Sequence, residues 1–164
     1  MNTIQHALEI NNDKAILLSI KKEWLDKIMA GDKVMEVRKT MPWEISYPFV
    51  VFCYETKAND GAGRITAAFI CNDIDKLDCL REFTDCIAGS KLPAMTAQFV
   101  KKSCLTFEQL LEYGNNVGAL YGWKVAEPQA INMQLPDFGV KRAPQSWQYV
   151  TVSAFLQIHG IMSL

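Results

Sequence analysis

Six consecutive residues, Ala15-Ile16-Leu17-Leu18-Ser19-Ile20, carry almost no polarity and have the length of a buried strand. The period then changes. From Lys21 to Ala30 the apolar positions are Trp24, Leu25, Ile28 and Met29, one stripe of a helix, with Lys22, Glu23, Asp26 and Lys27 on its wet side. Gly31 supplies the left-handed cap that ends such a helix. A second strand is expected around Val34 and Val37, closed by Pro42. Phe49-Val50-Val51-Phe52-Cys53-Tyr54 is rich in β-branched and aromatic residues and reads as a third. Asn59, Asp60 and Gly61 make a turn, and Arg64 to Ile70 resumes as its hairpin partner.

The middle of the chain changes pattern. Asp75 to Gly89 reads as helical, with Leu77, Leu80, Phe83 and Ile87 on one side. Pro93 interrupts, a short helix follows from Ala94 to Val100, and Thr106 is an N-cap candidate for a helix that stops at Gly114. The remainder is strand-like: Ala119 to Ala126, Ile131 to Leu135 and Trp147 to Phe155, punctuated by Pro128, Pro136 and Pro144. Strands and helices mix without a regular β-α-β alternation, which favours an α+β fold with a mostly antiparallel sheet or barrel. A single domain over residues 14–164 accounts for the pattern. Residues 75–114 form a helical insertion, and residues 1–13 are a flexible leader able to dock on the surface.

Composition narrows the function. In 164 residues, 49% are hydrophobic and 21% charged, with a net charge of −1, so no global positive field draws the protein to nucleic acid or an anionic membrane. Any such affinity must come from a local patch. No segment approaches the apolar length of a membrane span, and residues 1–13 lack the features of a signal peptide; a cytoplasmic protein is expected. The five cysteines (Cys53, Cys71, Cys79, Cys86, Cys104) show no close CxxC pair and read as reduced thiols, several within apolar runs. His6 and His159 are the only histidines. Neither a metal site nor a cofactor is expected.

The richest chemistry lies in Gly31-Asp32-Lys33-Val34-Met35-Glu36-Val37-Arg38-Lys39. On a strand starting at Val34, Glu36 and Arg38 share one face while Met35 and Val37 take the other. A lysine and an arginine there can hold a phosphate or a carboxylate, and the glutamate can orient the arginine or accept from a base amino group. On charge pattern alone, an edge strand laced with surface salt bridges is the plainer reading. Tyr54, at the end of its strand, is a stacking candidate, and Arg64 could face the same mouth. Trp123 and Trp147 read as core.

The Gly31-x-Lys33-x-x-Glu36-x-Arg38 pattern after a strand and helix resembles the opening of ASCH domains, whose signature is GxKxxExR. Leu105 to Gly114 with Tyr121-Gly122-Trp123-Lys124-Val125 is similar to the second half of that family. Ala143 to Val150 resembles a closing strand of its phage and bacterial members. The resemblance spans roughly Lys14 to Thr151. It implies a PUA-like, mostly antiparallel β-barrel with a helix across its mouth, binding RNA or a nucleotide in a small basic cleft lined by Lys33, Glu36 and Arg38, with Tyr54 and Arg64 as further ligand contacts. Some relatives hydrolyse the amide of acetylated cytidine with a lysine and a threonine three residues on. Here Glu36 occupies the place of that threonine, so such a hydrolase, with Lys33 as the amine and Glu36 as proton carrier, is the alternative. A protein-binding module is a third. The pattern does not specify the oligomeric state.

Overall fold

The structure, a computed structural model, describes residues 3–89 and 91–153. Its strands form two sheets. The larger has the order β7-β4-β3-β1-β8 and the smaller β2-β6-β5. The strands are β1 (Lys14–Ile20), β2 (Met35–Arg38), β3 (Phe49–Glu55), β4 (Arg64–Cys71), β5 (Ile74–Asp78), β6 (Ala119–Lys124), β7 (Ala126–Met133) and β8 (Trp147–Thr151). The helices are α1 (Thr3–Ile10), α2 (Lys22–Met29), α3 (Cys79–Ala88), α4 (Ala94–Ser103) and α5 (Phe107–Gly114). All strand pairs are antiparallel except β1 with β3. That parallel pair is possible because α2, β2 and a long strap carry the chain back to its starting end.

Alternation along the strands sorts the apolar residues into three layers. One face of the large sheet packs Leu17, Phe52 and Tyr54 beneath α1. Its other face, with Ile16, Leu18, Val51 and Phe69, meets Trp123 of β6, so the two sheets face each other. The outer face of the small sheet, with Met35, Val37, Leu77 and Leu120, is covered by α3, α4 and α5. Gly122 lets β6 and β2 approach, since a Cβ there would collide with the Met35 side chain.

Four expectations need correction. The sheets do not close into one barrel: β2 is four residues long, pairs with β6, and leaves the large sheet with separate edges at β7 and β8. The insertion opens with a strand rather than a helix, because Ile74 to Asp78 pair with Trp123 to Ala119 and bury Leu77. The apolar side expected for that helix is also different: Cys79 and Phe83 are buried, whereas Leu80 and Ile87 are 79% and 78% exposed. Finally, from Thr3 onward the expected leader is packed rather than loose. Ile4, Ala7 and Leu8 of α1 lie in the core, and Asn11 caps the turn by donating to Ala7 O. His159 and the end of the expected closing strand fall outside the described residues. Among the described residues, no helix is long and apolar enough to cross a membrane, and no group of three or more metal-ligating side chains is assembled.

Candidate functional site

Gly31, at φ +84°, turns the chain out of α2, and Asp32 N and Lys33 N both donate to Lys27 O. This tight return aims Lys33 inward instead of into water. Its side chain is 2% exposed. Nζ donates to Ser103 O at 2.6 Å, where α4 ends, and lies 3.6 Å from Glu36 Oε2 and 5.4 Å from the Trp24 ring centroid. Burial pulls the Lys33 amine below its ordinary value, and the Glu36 charge opposes that shift only in part.

Glu36 and Arg38 stand on the inner face of β2, opposite the face that Met35 and Val37 bury against the helices. Glu36 Oε1 is 3.3 Å from an Arg38 terminal nitrogen. That nitrogen also donates to Ser19 O at 2.8 Å, and the other donates to Ser146 Oγ at 3.3 Å. Lys33, Glu36 and Arg38 therefore form a cation–anion–cation row, and the Arg38 side chain, the most accessible of the three, is only 12% exposed. The surface salt-bridge reading does not hold for these residues, since surface pairs remain in water.

Beside this row is a cavity of about 290 Å³ at the end of the gap between the sheets. Ser19, Trp24, Glu36, Arg38, Thr56 and Tyr113 contribute to its wall, and Lys21 lies at its edge. Lys39 sits 4.8 Å over the Tyr113 ring. Three residues of this wall each hold a buried polar atom without a hydrogen-bond partner: Glu36 Oε2, Arg38 Nε and Thr56 Oγ1. Behind it, burial raises the Cys53 thiol far above the usual range, so this sulfur is inert.

The structure brings Lys33, Glu36 and Arg38 together but places Tyr54 and Arg64 elsewhere. Tyr54 points to the opposite face of the large sheet, into the cluster beneath α1, and is 8% exposed. Arg64 Nε donates to Asn132 Oδ1 across β4 and β7. Glu55, between Tyr54 and Thr56, is spent on the turn, accepting from Ala62 N and Thr66 Oγ1. Residues unforeseen from sequence are Trp24, Thr56, Tyr113, Ser19 and Ser146. They come from separate elements that no local motif connects.

No family model and no curated protein matches this chain. Among solved structures it is similar to the crystal structure of ASCH from Zymomonas mobilis, with a TM-score of 0.67 and 15% identity over 92% of this chain and 94% of that one. A serine-to-alanine mutant of the same protein superposes with a TM-score of 0.68 at 14% identity, and a tyrosine-to-phenylalanine mutant with 0.67 at 14%. These two matches also span 92% of this chain and cover 96% and 97% of the mutant chains. At such low identity what is shared is the architecture, and this chain has the ASCH-domain fold.

Proposed function

We propose that this protein binds RNA or a nucleotide, taking one base into the cavity beside the Lys33–Glu36–Arg38 row. The observation that carries the reading is that three residues of one wall, Glu36, Arg38 and Thr56, each hold a buried polar atom with no hydrogen bond, Glu36 Oε2 being met only by the 3.6 Å ion pair with Lys33. A buried polar group without a partner costs about 1–3 kcal/mol. Three together are best explained by a ligand that pairs them. A nucleobase edge offers donors and acceptors side by side, matching a carboxylate oxygen, a guanidinium N–H and a hydroxyl. Trp24 and Tyr113 supply aromatic surface, and α2, through Trp24, acts as the helix at the mouth.

This reading divides the labour differently from the sequence motif alone. Lys33 and Arg38 already have carbonyl, hydroxyl and carboxylate partners within the protein. They hold Glu36 in place, and the phosphate falls to Lys21 and Lys39 at the edge. Titration of the four nucleoside monophosphates and a set of short RNAs by calorimetry tests the reading. Binding to at least one nucleotide that Glu36→Gln weakens is expected; no binding to any of them overturns it.

One observation favours a second reading, a hydrolase acting on a modified nucleoside: the lowered Lys33 basicity increases the share of neutral, nucleophilic amine. Against it, Lys33 is 2% exposed and its Nζ is engaged with Ser103 O. Release of acetate from acetylcytidine, lost in Lys33→Met, would promote this second reading over the first.

A further inference from the structure

Between β2 and β3 the chain forms a strap, residues 39–48, that starts with Lys39, whose amine lies over the Tyr113 ring of the cavity wall. Thr40 accepts from two tryptophans, through its carbonyl from Trp123 Nε1 and through its hydroxyl oxygen from Trp147 Nε1. Further on, the Tyr149 hydroxyl accepts from both Trp43 N and Glu44 N at 2.9 Å. Lys14 Nζ donates to Glu44 O, and the Asn11 side chain exchanges hydrogen bonds with Ser46 and reaches Pro48 O. The strap is thus tied down along its length. Yet the Trp43 side chain is 78% exposed.

A fixed backbone that presents a bare indole to water is hard to explain by folding alone. Exposure forgoes the gain of burying a large apolar ring, and fixing the segment costs conformational entropy. The same arrangement makes a stacking surface that is ordered before its ligand arrives. Resting on the reading of the cavity as a nucleotide site, we propose that Trp43 is a second stacking platform, used by single-stranded RNA that leaves the cavity along the strap. The order of contacts suits it. Ser146, just before β8, accepts from Arg38 of the cavity wall, and Tyr149, three residues on, accepts from the Trp43 backbone, a backbone spacing of about 10 Å at 3.3 Å per strand residue. Lys14 and Lys39 flank the strap and Glu44 is its one carboxylate, a weak local charge that suits base stacking better than a phosphate track.

The test uses the full chain, nucleoside monophosphates and a labelled single-stranded RNA of about eight nucleotides, within the roughly 4–16 typical of single-strand sites. Trp43→Ala is expected to weaken RNA binding about 5- to 150-fold while leaving monophosphate affinity within about twofold, and Trp43→Phe is expected to keep most of the affinity. If the unaltered protein binds the monophosphates but Trp43→Ala leaves RNA affinity unchanged, the strap proposal is overturned and the cavity reading stands. If the unaltered protein binds neither ligand, the cavity reading fails and the strap proposal with it. If sedimentation shows that Trp43→Ala only dissociates a dimer, without affecting RNA, Trp43 belongs to a contact between copies and the proposal is likewise overturned.

Discussion

On one face of β2, Met35 and Val37 pack against the apolar side chains of Leu120, Phe99 and Leu110. On the other face, two residues of the same four-residue strand, Glu36 and Arg38, are almost as deeply buried, but Glu36 ion-pairs with both Arg38 and Lys33, while Glu36 Oε2 and Arg38 Nε make no hydrogen bond. Burial is similar and the energetics are opposite. The apolar face gains from leaving water. The charged face spends desolvation that its own pairing recovers only in part, so stability does not explain why charge is there. A site under functional demand does. Perturbing each face separately should make the contrast measurable.

The largest effect is expected on the charged face. Glu36→Ala leaves Lys33 and Arg38 as neighbouring buried cations with no anion between them, and should destabilise the protein by about 3–5 kcal/mol in urea unfolding. Replacing the whole row by apolar residues, Lys33→Met with Glu36→Leu and Arg38→Met, should restore most of that loss while abolishing nucleotide binding. If the triple replacement is as unstable as Glu36→Ala, the charged row is structural and the contrast between the two faces collapses.

Substitutions on the apolar face should cost stability without this recovery. Met35→Ala opens a cavity in a fully buried position and is expected to cost about 2–5 kcal/mol. Gly122→Ala overpacks the same spot against Met35, for about 1–3 kcal/mol. Nucleotide affinity, measured where these variants are still folded, should stay near that of the unaltered protein. A marked loss of affinity would show that the helical layer positions the site.

The face assignment on β2 was legible because alternation on a short strand allows only two outcomes, and Met35 and Val37 are plainly the apolar pair. β1, β3, β4 and the Thr106-capped α5 were legible for similar reasons, and the capping box of Thr106 and Gln109 is present. Alternation failed on β3, where all seven residues are buried; with no wet face, pattern cannot say which side Tyr54 takes, and it takes the side away from the cavity. Leu77 and Leu80 are three apart, which mimics a helix, but Leu77 lies within β5, while Asp78 ends that strand and caps the helix by accepting from Arg81 N. The motif residues Lys33, Glu36 and Arg38 are neighbours in sequence, and a local reading finds them. Trp24, Thr56, Tyr113 and Ser146 meet only when the sheets pack.

A pH titration sharpens the contrast with a smaller effect. The Lys33 amine is held below the ordinary value of 10.5 by burial, so the unfolded chain binds a proton here that the folded chain has released. Between the lowered folded value and 10.5 the unfolded state holds more protons, and unfolding free energy must rise with pH. The raised Tyr47 and Tyr113 hydroxyls act the other way above pH 10, because there the folded state keeps its protons longer. The comparison is therefore made against Lys33→Met, which keeps both tyrosines. Relative to that variant, the unaltered protein should gain stability as pH climbs toward 10.5. A parallel pair of curves would mean that Lys33 is as readily charged when folded as when free.

The smallest effect concerns the edge of the cavity. Each phosphate contact on a single strand contributes about 0.7 to the slope of log affinity against log salt. If Lys21 and Lys39 carry the phosphate, Lys21→Ala and Lys39→Ala should each reduce the slope by about that much, with little change in stability because both are exposed. Lys76, on β5 at the opposite edge of the small sheet, serves as the control and should leave the slope unchanged. Buried Lys33 is the informative contrast. Its charge is paired before any ligand arrives, so the Lys33→Met protein should bind more weakly but with the salt dependence of the unaltered chain. A slope that drops in Lys33→Met and survives in both edge variants would reverse the division of labour, returning the phosphate to the buried row and the base to the edge.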